Sequence, residues 1–179
     1  MPFEDQVTVI RVRDIDIIQA RQLLGCFSLQ LNEIENSVPI PGSYWGECEA
    51  GIIASTVYVR QDTPIHSLLH EACHLIVMPE HRRANVHTNA TDSIAEEDAT
   101  CYLQLLLSDF ITGFGFARAC QDMDTWGYSF RLGSARAWFE QDAEDAHAFL
   151  QNAGLIDSNQ QILALARLPK AMQSTSLDI

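Results

Sequence analysis

Residues 6–13, QVTVIRVR, alternate apolar and polar positions and predict a short strand with one buried face. Asp14 then stands where an N-cap belongs. Ile17, Ile18, Ala20, Leu23 and Leu24 follow at helical spacing, with Gly25 as the stop. Residues 36–46, NSVPIPGSYWG, are rich in turn formers and read as loop. GIIASTVYVR, 51–60, is β-branched and uncharged until its end, and predicts the clearest strand of the chain. Asp62 or Thr63 can cap what comes next, Pro64 suits a first helical turn, and Pro79 stops a helix over 64–79. A polar loop over 79–91 precedes a second helix from Asp92 or Ser93 to about Ile111, closed by Gly113 and Gly115. Residues 116–131 fit no single period. An amphipathic helix is predicted over 134–152 and a last one over 158–167. Residues 1–168 are thus expected to form one domain, and 169–179 a frayed tail.

Composition removes several function classes. Hydrophobic residues make up 47% and charged residues 20% of 179, as in ordinary globular domains. The net charge of −13 opposes nucleic-acid binding, which needs a basic footprint. No apolar run reaches the roughly 20 residues of a membrane helix, and the acidic start MPFEDQVTVI is unlike a signal peptide, so a cytoplasmic location is expected. Five cysteines without a CxxC argue against a zinc knuckle or a disulfide framework; small reduced side chains are expected. There is no phosphate-binding glycine loop and no repeat.

One stretch carries chemistry. His70-Glu71-Ala72-Cys73-His74 lies inside the helix predicted over 64–79. Residues four apart share a helix face, so His70 and His74 can chelate one ion. Glu71 points about 100° away, as suits a base reaching a water beside the ion. A helix with two surface histidines would show the same five letters. His66 shares the stripe but lies about 12 Å from His74 along the axis, too far to ligate with it, and reads as a surface residue. His87 is a weaker loop candidate.

A third ligand is sought on the second helix. Glu96 shares a stripe with Ala99, Leu103, Leu106 and Phe110, so it is expected on the buried side, where a carboxylate needs an ion or a partner. Glu97 shares a more polar stripe with Cys101, Gln104 and Ser108. The expected metal set is therefore His70, His74 and Glu96 around Zn²⁺. Two alternatives stay open: Glu97 as ligand, or Glu96 closing a capping box with Ser93.

A strand, the HExxH helix, a loop and a second helix carrying Glu96-Glu97-Asp98-Ala99-Thr100 resemble the gluzincin zinc peptidases, and most closely the ImmA/IrrE family. The chain departs from that pattern at Thr100, where an Asn or Asp is usual. The resemblance implies a zincin-like α+β fold, with a small mixed or antiparallel sheet on the active-site helix and the edge strand 51–60 beside a peptide or protein substrate. The expected mechanism has zinc lower the pKa of a water, Glu71 take its proton and the hydroxide attack a peptide carbonyl. The substrate would add to the edge of 51–60 as a further strand. Tyr128, His147, His87 and Arg131 are candidates for stabilising the oxyanion. Cys73 is expected in the core, and Trp126, Tyr128, Trp138 and Phe139 as packing residues rather than a cofactor box. The competing readings are a zincin-fold regulator without proteolysis, a hydrolase of small amides, and a metal-free helical protein.

Overall fold

The computed structural model describes residues 8–167; the expected tail and the first two residues of the strand expected over 6–13 lie outside them. The chain is α+β. Among the described residues there are seven α-helices: α1 Ile17–Gly25, α2 Ile65–Val77, α3 Glu80–Arg83, α4 Ile94–Ser108, α5 Gly115–Trp126, α6 Ala135–Gln141 and α7 Glu144–Asn152. Three strands, β1 Gln30–Glu33, β2 Gly51–Ile53 and β3 Thr56–Val59, form one sheet in the order β1-β3-β2. β1 pairs with β3 in parallel, and β2 with β3 antiparallel. No helix among the described residues is long and apolar enough to cross a membrane.

α2 is the centre of the molecule. It packs on β2 and β3 on one side and on α4 on the other. Ile65, Leu68, Leu69, Ala72 and Leu75 are wholly buried, so it is a core helix rather than an amphipathic one. Pro64 takes the N-cap place, and neither Asp62 nor Thr63 caps with its side chain. Asp62 instead pairs with Arg60, and Thr63 Oγ1 accepts from Arg60 N at 2.9 Å. Met78 is extended, as a residue before proline prefers, and the helix ends there.

Several sequence expectations are corrected. Residues 8–13 form no strand. Ile65 N donates to Ile10 O and Val12 N to Thr63 O, both at 2.9 Å, while Ile10 N donates to the buried Asp122 carboxylate at 2.8 Å. This segment is pinned to the start of α2 and to α5, away from the sheet. α1 is capped by Asp16, not Asp14. The 51–60 stretch is a hairpin and not one strand: Ala54 turns into the left-handed region at φ 51° between β2 and β3. β1 is an edge strand with one buried side chain in its polar sequence QLNE, a pattern with no sequence signal. The helix expected over 134–152 breaks at Asp142, whose carboxylate leaves the helical path to meet Arg131 Nε at 3.0 Å.

The outer edge of β2 is already taken. Ile52 N donates to Gly42 O, Thr88 N to Ile52 O and Ala54 N to Val86 O. Gly51 allows this closeness: a Cβ there would run into the backbone of Pro41, Gly42 and Ser43. The expected strand addition of a substrate along 51–60 therefore has no free edge at β2, and β3 lies inside the sheet.

Candidate metal centre

α2 and α4 pack side by side, and α4 turns its polar stripe, not its apolar one, toward the histidines. Glu97 Oε1 lies 3.0 Å from His70 Nε2, and Glu97 Oε2 lies 3.3 Å from His74 Nε2. The two Nε2 atoms are 3.1 Å apart. Among the described residues His70, His74 and Glu97 form the one group of three such donors able to hold an ion. Two donors bonded to one zinc at about 2.0–2.1 Å and a tetrahedral angle stand about 3.3 Å apart. The three donors meet that spacing as they are, and two imidazoles with one carboxylate suit zinc.

The tautomers also fit. Gln104 is fully buried. Its Nε2 donates to the carbonyl oxygen of His66 at 3.0 Å, which turns its Oε1 toward His70 Nδ1 at 2.9 Å. An amide oxygen only accepts, so the His70 proton sits on Nδ1 and Nε2 is left as a lone pair for an ion. Thr100 Oγ1 lies 3.3 Å from His74 Nδ1 and can do the same there. Thr100, a departure from the family pattern, is thus placed against a candidate ligand.

Glu96 is not part of this group. Arg82 Nη1 donates to Glu96 Oε1 at 2.5 Å, and the arginine holds the carboxyl below its usual range. Ser93 Oγ does accept from Glu96 N at 3.3 Å, but Ser93 N donates to Thr91 Oγ1, so the reciprocal half of a capping box is not made. The stripe argument turns Glu96 rather than Glu97 toward the histidines because α4 is covered by three helices. It packs on α2 through Gln104 and Cys101 and also contacts α5 and α7, so an apolar stripe does not say which neighbour it faces. The usable signal was chemical: buried imidazoles need polar partners, and Glu97, Thr100 and Gln104 supply them.

Glu71 sits beside the histidines and lines the same pocket. Burial pushes its carboxyl up to about 7; His70 opposes this, and Glu97 and Glu49 add to it. Burial pushes His74 down to about 4, with the His70 charge adding. Burial also opposes a charge on His70, but contacts with Tyr128, Cys101 and Glu97 carry it well above an ordinary imidazole. Burial opposes ionisation of Glu97 as well, but its hydrogen bond to His70 and the two imidazole charges hold its carboxyl below the ordinary range.

The pocket measures about 550 Å³. Its floor is α2 and Glu97, one wall is residues 88–92, and Trp126 and Tyr128 form another. Tyr44 and Trp45, both exposed, stand at its rim with their rings 5.0 Å apart. Glu49, on the same wall, accepts from Trp126 Nε1 at 2.6 Å. Trp126 is thus a pocket residue as well as a packing one, whereas Trp138 packs in the core and Phe139 stacks on Tyr102. Of the four oxyanion candidates only Tyr128 lines the pocket. His147 packs edge-on to Tyr102, Arg131 is bound to Asp142, and His87 pairs with Thr88 Oγ1. His66 is wholly buried, correcting the surface expectation, and Cys73 is in the core as expected.

Compared with family models, with curated proteins and with solved structures, the chain matches none.

Proposed function

We propose that this protein is a zinc-dependent hydrolase, most simply a small metallopeptidase, with His70, His74 and Glu97 as the metal ligands and Glu71 as the general base. The observation that supports this best is the convergence of two imidazole lone pairs and one carboxylate at the floor of an open pocket, with a second carboxylate next to them that is not one of the three. A purely structural ion would need no such neighbour, because structural zinc sites are closed by four protein ligands. Bound zinc would supply Lewis acidity to a water and to the substrate carbonyl.

The chain's own residues do the rest. Gln104 and Thr100 hold the imidazoles in register, so little reordering is required on loading. Glu71 is pushed to about 7, close to neutral, where a carboxylate can both take a proton from an attacking water and give it to a leaving amine. Trp126, Tyr128, Tyr44 and Trp45 offer aromatic surfaces against which substrate side chains can pack. A peptide would enter across the rim at Tyr44 and Trp45, since the edge of β2 is occupied.

Metal content by elemental mass spectrometry tests the site, and a randomised fluorogenic peptide library tests the activity. The expected result is about one zinc per chain in wild type and Glu96→Ala, and little in Glu97→Ala. Glu71→Gln should keep zinc and lose turnover. Zinc retained by Glu97→Ala would sink the ligand assignment, and turnover retained by Glu71→Gln would sink the base. A zinc-loaded wild type that cleaves nothing would favour a metal-binding regulatory protein.

A further inference from the structure

Behind the pocket, one turn before His70, His66 is completely buried between Trp126 and Tyr128. Its Nδ1 lies 3.2 Å from Tyr128 Oη. Its Nε2 has no hydrogen-bond partner among the described residues. A neutral imidazole carries one proton, and the two places for it are not equal here. A proton on Nε2 would leave a buried N–H donor orphaned. A proton on Nδ1 leaves only a bare acceptor, which proteins tolerate better. Nδ1 therefore donates, and Tyr128 Oη accepts.

Gln104 does not compete for that bond. Its Oε1 is used by His70 and one amide hydrogen by the His66 carbonyl. With the His66 N–H directed at that oxygen, the hydroxyl's own proton is not spent on His66 and is left for the pocket that Tyr128 lines next to His70 and Glu71.

We propose that His66 is a positioning residue that fixes the direction of the Tyr128 proton, so that Tyr128 donates a hydrogen bond to the oxyanion of a substrate in the pocket. The catalytic half rests on the metallopeptidase reading; the hydrogen-bond half does not.

The first test is long-range ¹H–¹⁵N NMR on histidine-labelled wild-type protein, with and without zinc. His66 should show the Nδ1-protonated form in both. An Nε2-protonated His66 overturns the proposal and leaves the metallopeptidase reading untouched. The second test uses the best-cleaved member of the randomised library. Loss of one oxyanion donor typically lowers kcat about 10²–10³-fold, and Tyr128→Phe should do so with KM nearly unchanged and zinc retained. His66→Leu should lower kcat in the same way, and His66→Asn, whose amide N–H can stand where Nδ1 stood, should recover much of it. Equal kcat in wild type and Tyr128→Phe overturns the oxyanion role. Should wild type cleave no peptide while His66 is Nδ1-protonated, the oxyanion role falls with the enzyme reading, and only the hydrogen bond stands.

Discussion

Gln104→Leu removes the amide that links the two helices of the site while nearly keeping its volume. Two buried partners lose a hydrogen bond: His70 Nδ1–H, at 2.9 Å in wild type, and the His66 carbonyl, at 3.0 Å. The imidazole N–H is left unsatisfied at a cost of about 1–3 kcal/mol, whereas the carbonyl keeps its helical bond from His70 N and loses only a second one worth about 0.5–1.5, so the metal-free protein should lose about 1.5–4.5 kcal/mol of stability. At this chain length each kcal/mol moves Tm by about 2–4 °C, giving a drop of roughly 3–18 °C. The same change frees the His70 ring to rotate or switch tautomer, and loss of such an outer partner costs about 10–100-fold in metal affinity. Urea melts of the metal-free protein read the first effect, and zinc titration against a chromophoric chelator the second. Gln104→Glu separates them: its carboxylate still accepts from His70 Nδ1 but faces the His66 carbonyl without a donor. It should lose stability and keep zinc affinity. If Gln104→Leu is destabilised while its zinc affinity stays within about threefold of wild type, well short of the expected range, the orienting role of Gln104 is refuted.

Two further outcomes are expected from parts of the fold outside the metal centre. Arg60, almost wholly buried, holds Asp62 at 2.6 Å and lowers its carboxyl below the ordinary 3.8. A depressed folded-state value means this pair contributes fully above the unfolded pKa, and its stabilisation is lost as pH falls below about 3.8 toward the lower folded value. Urea midpoints of Asp62→Asn should therefore sit below wild type at neutral pH and converge on it in that acid window; a constant gap down to the acid limit would contradict the assignment. Gly51→Ala drives a Cβ into the backbone of Pro41, Gly42 and Ser43, so it should cost at least the roughly 1–3 kcal/mol of ordinary overpacking and raise amide exchange at Ile52. Unchanged exchange at Ile52 would show that the 41–43 segment does not depend on that close approach.

The linear sequence determined the parts whose causes are local. Helix α2 follows from Pro64, the apolar run and Pro79, and four-residue spacing alone places His70 and His74 on one face. The start of α4 follows from Ser93, whose hydroxyl accepts from Glu96 N. The two-proline bracket explains why that region is the most legible in the chain. What the sequence missed has non-local causes. The hairpin at Ala54 turns on a left-handed residue that is not glycine, β1 exists because β3 offers it an edge, and residues 8–13 are held by Asp122, more than a hundred positions away. The choice of Glu97 over Glu96 belongs to the same class. Both glutamates lie one residue apart on one helix, and only the rotation of α4 against α2, set by packing on three neighbouring helices, decides which meets the histidines and which meets Arg82. Spacing fixes angles within a helix; the angle between helices is fixed by everything that packs around them.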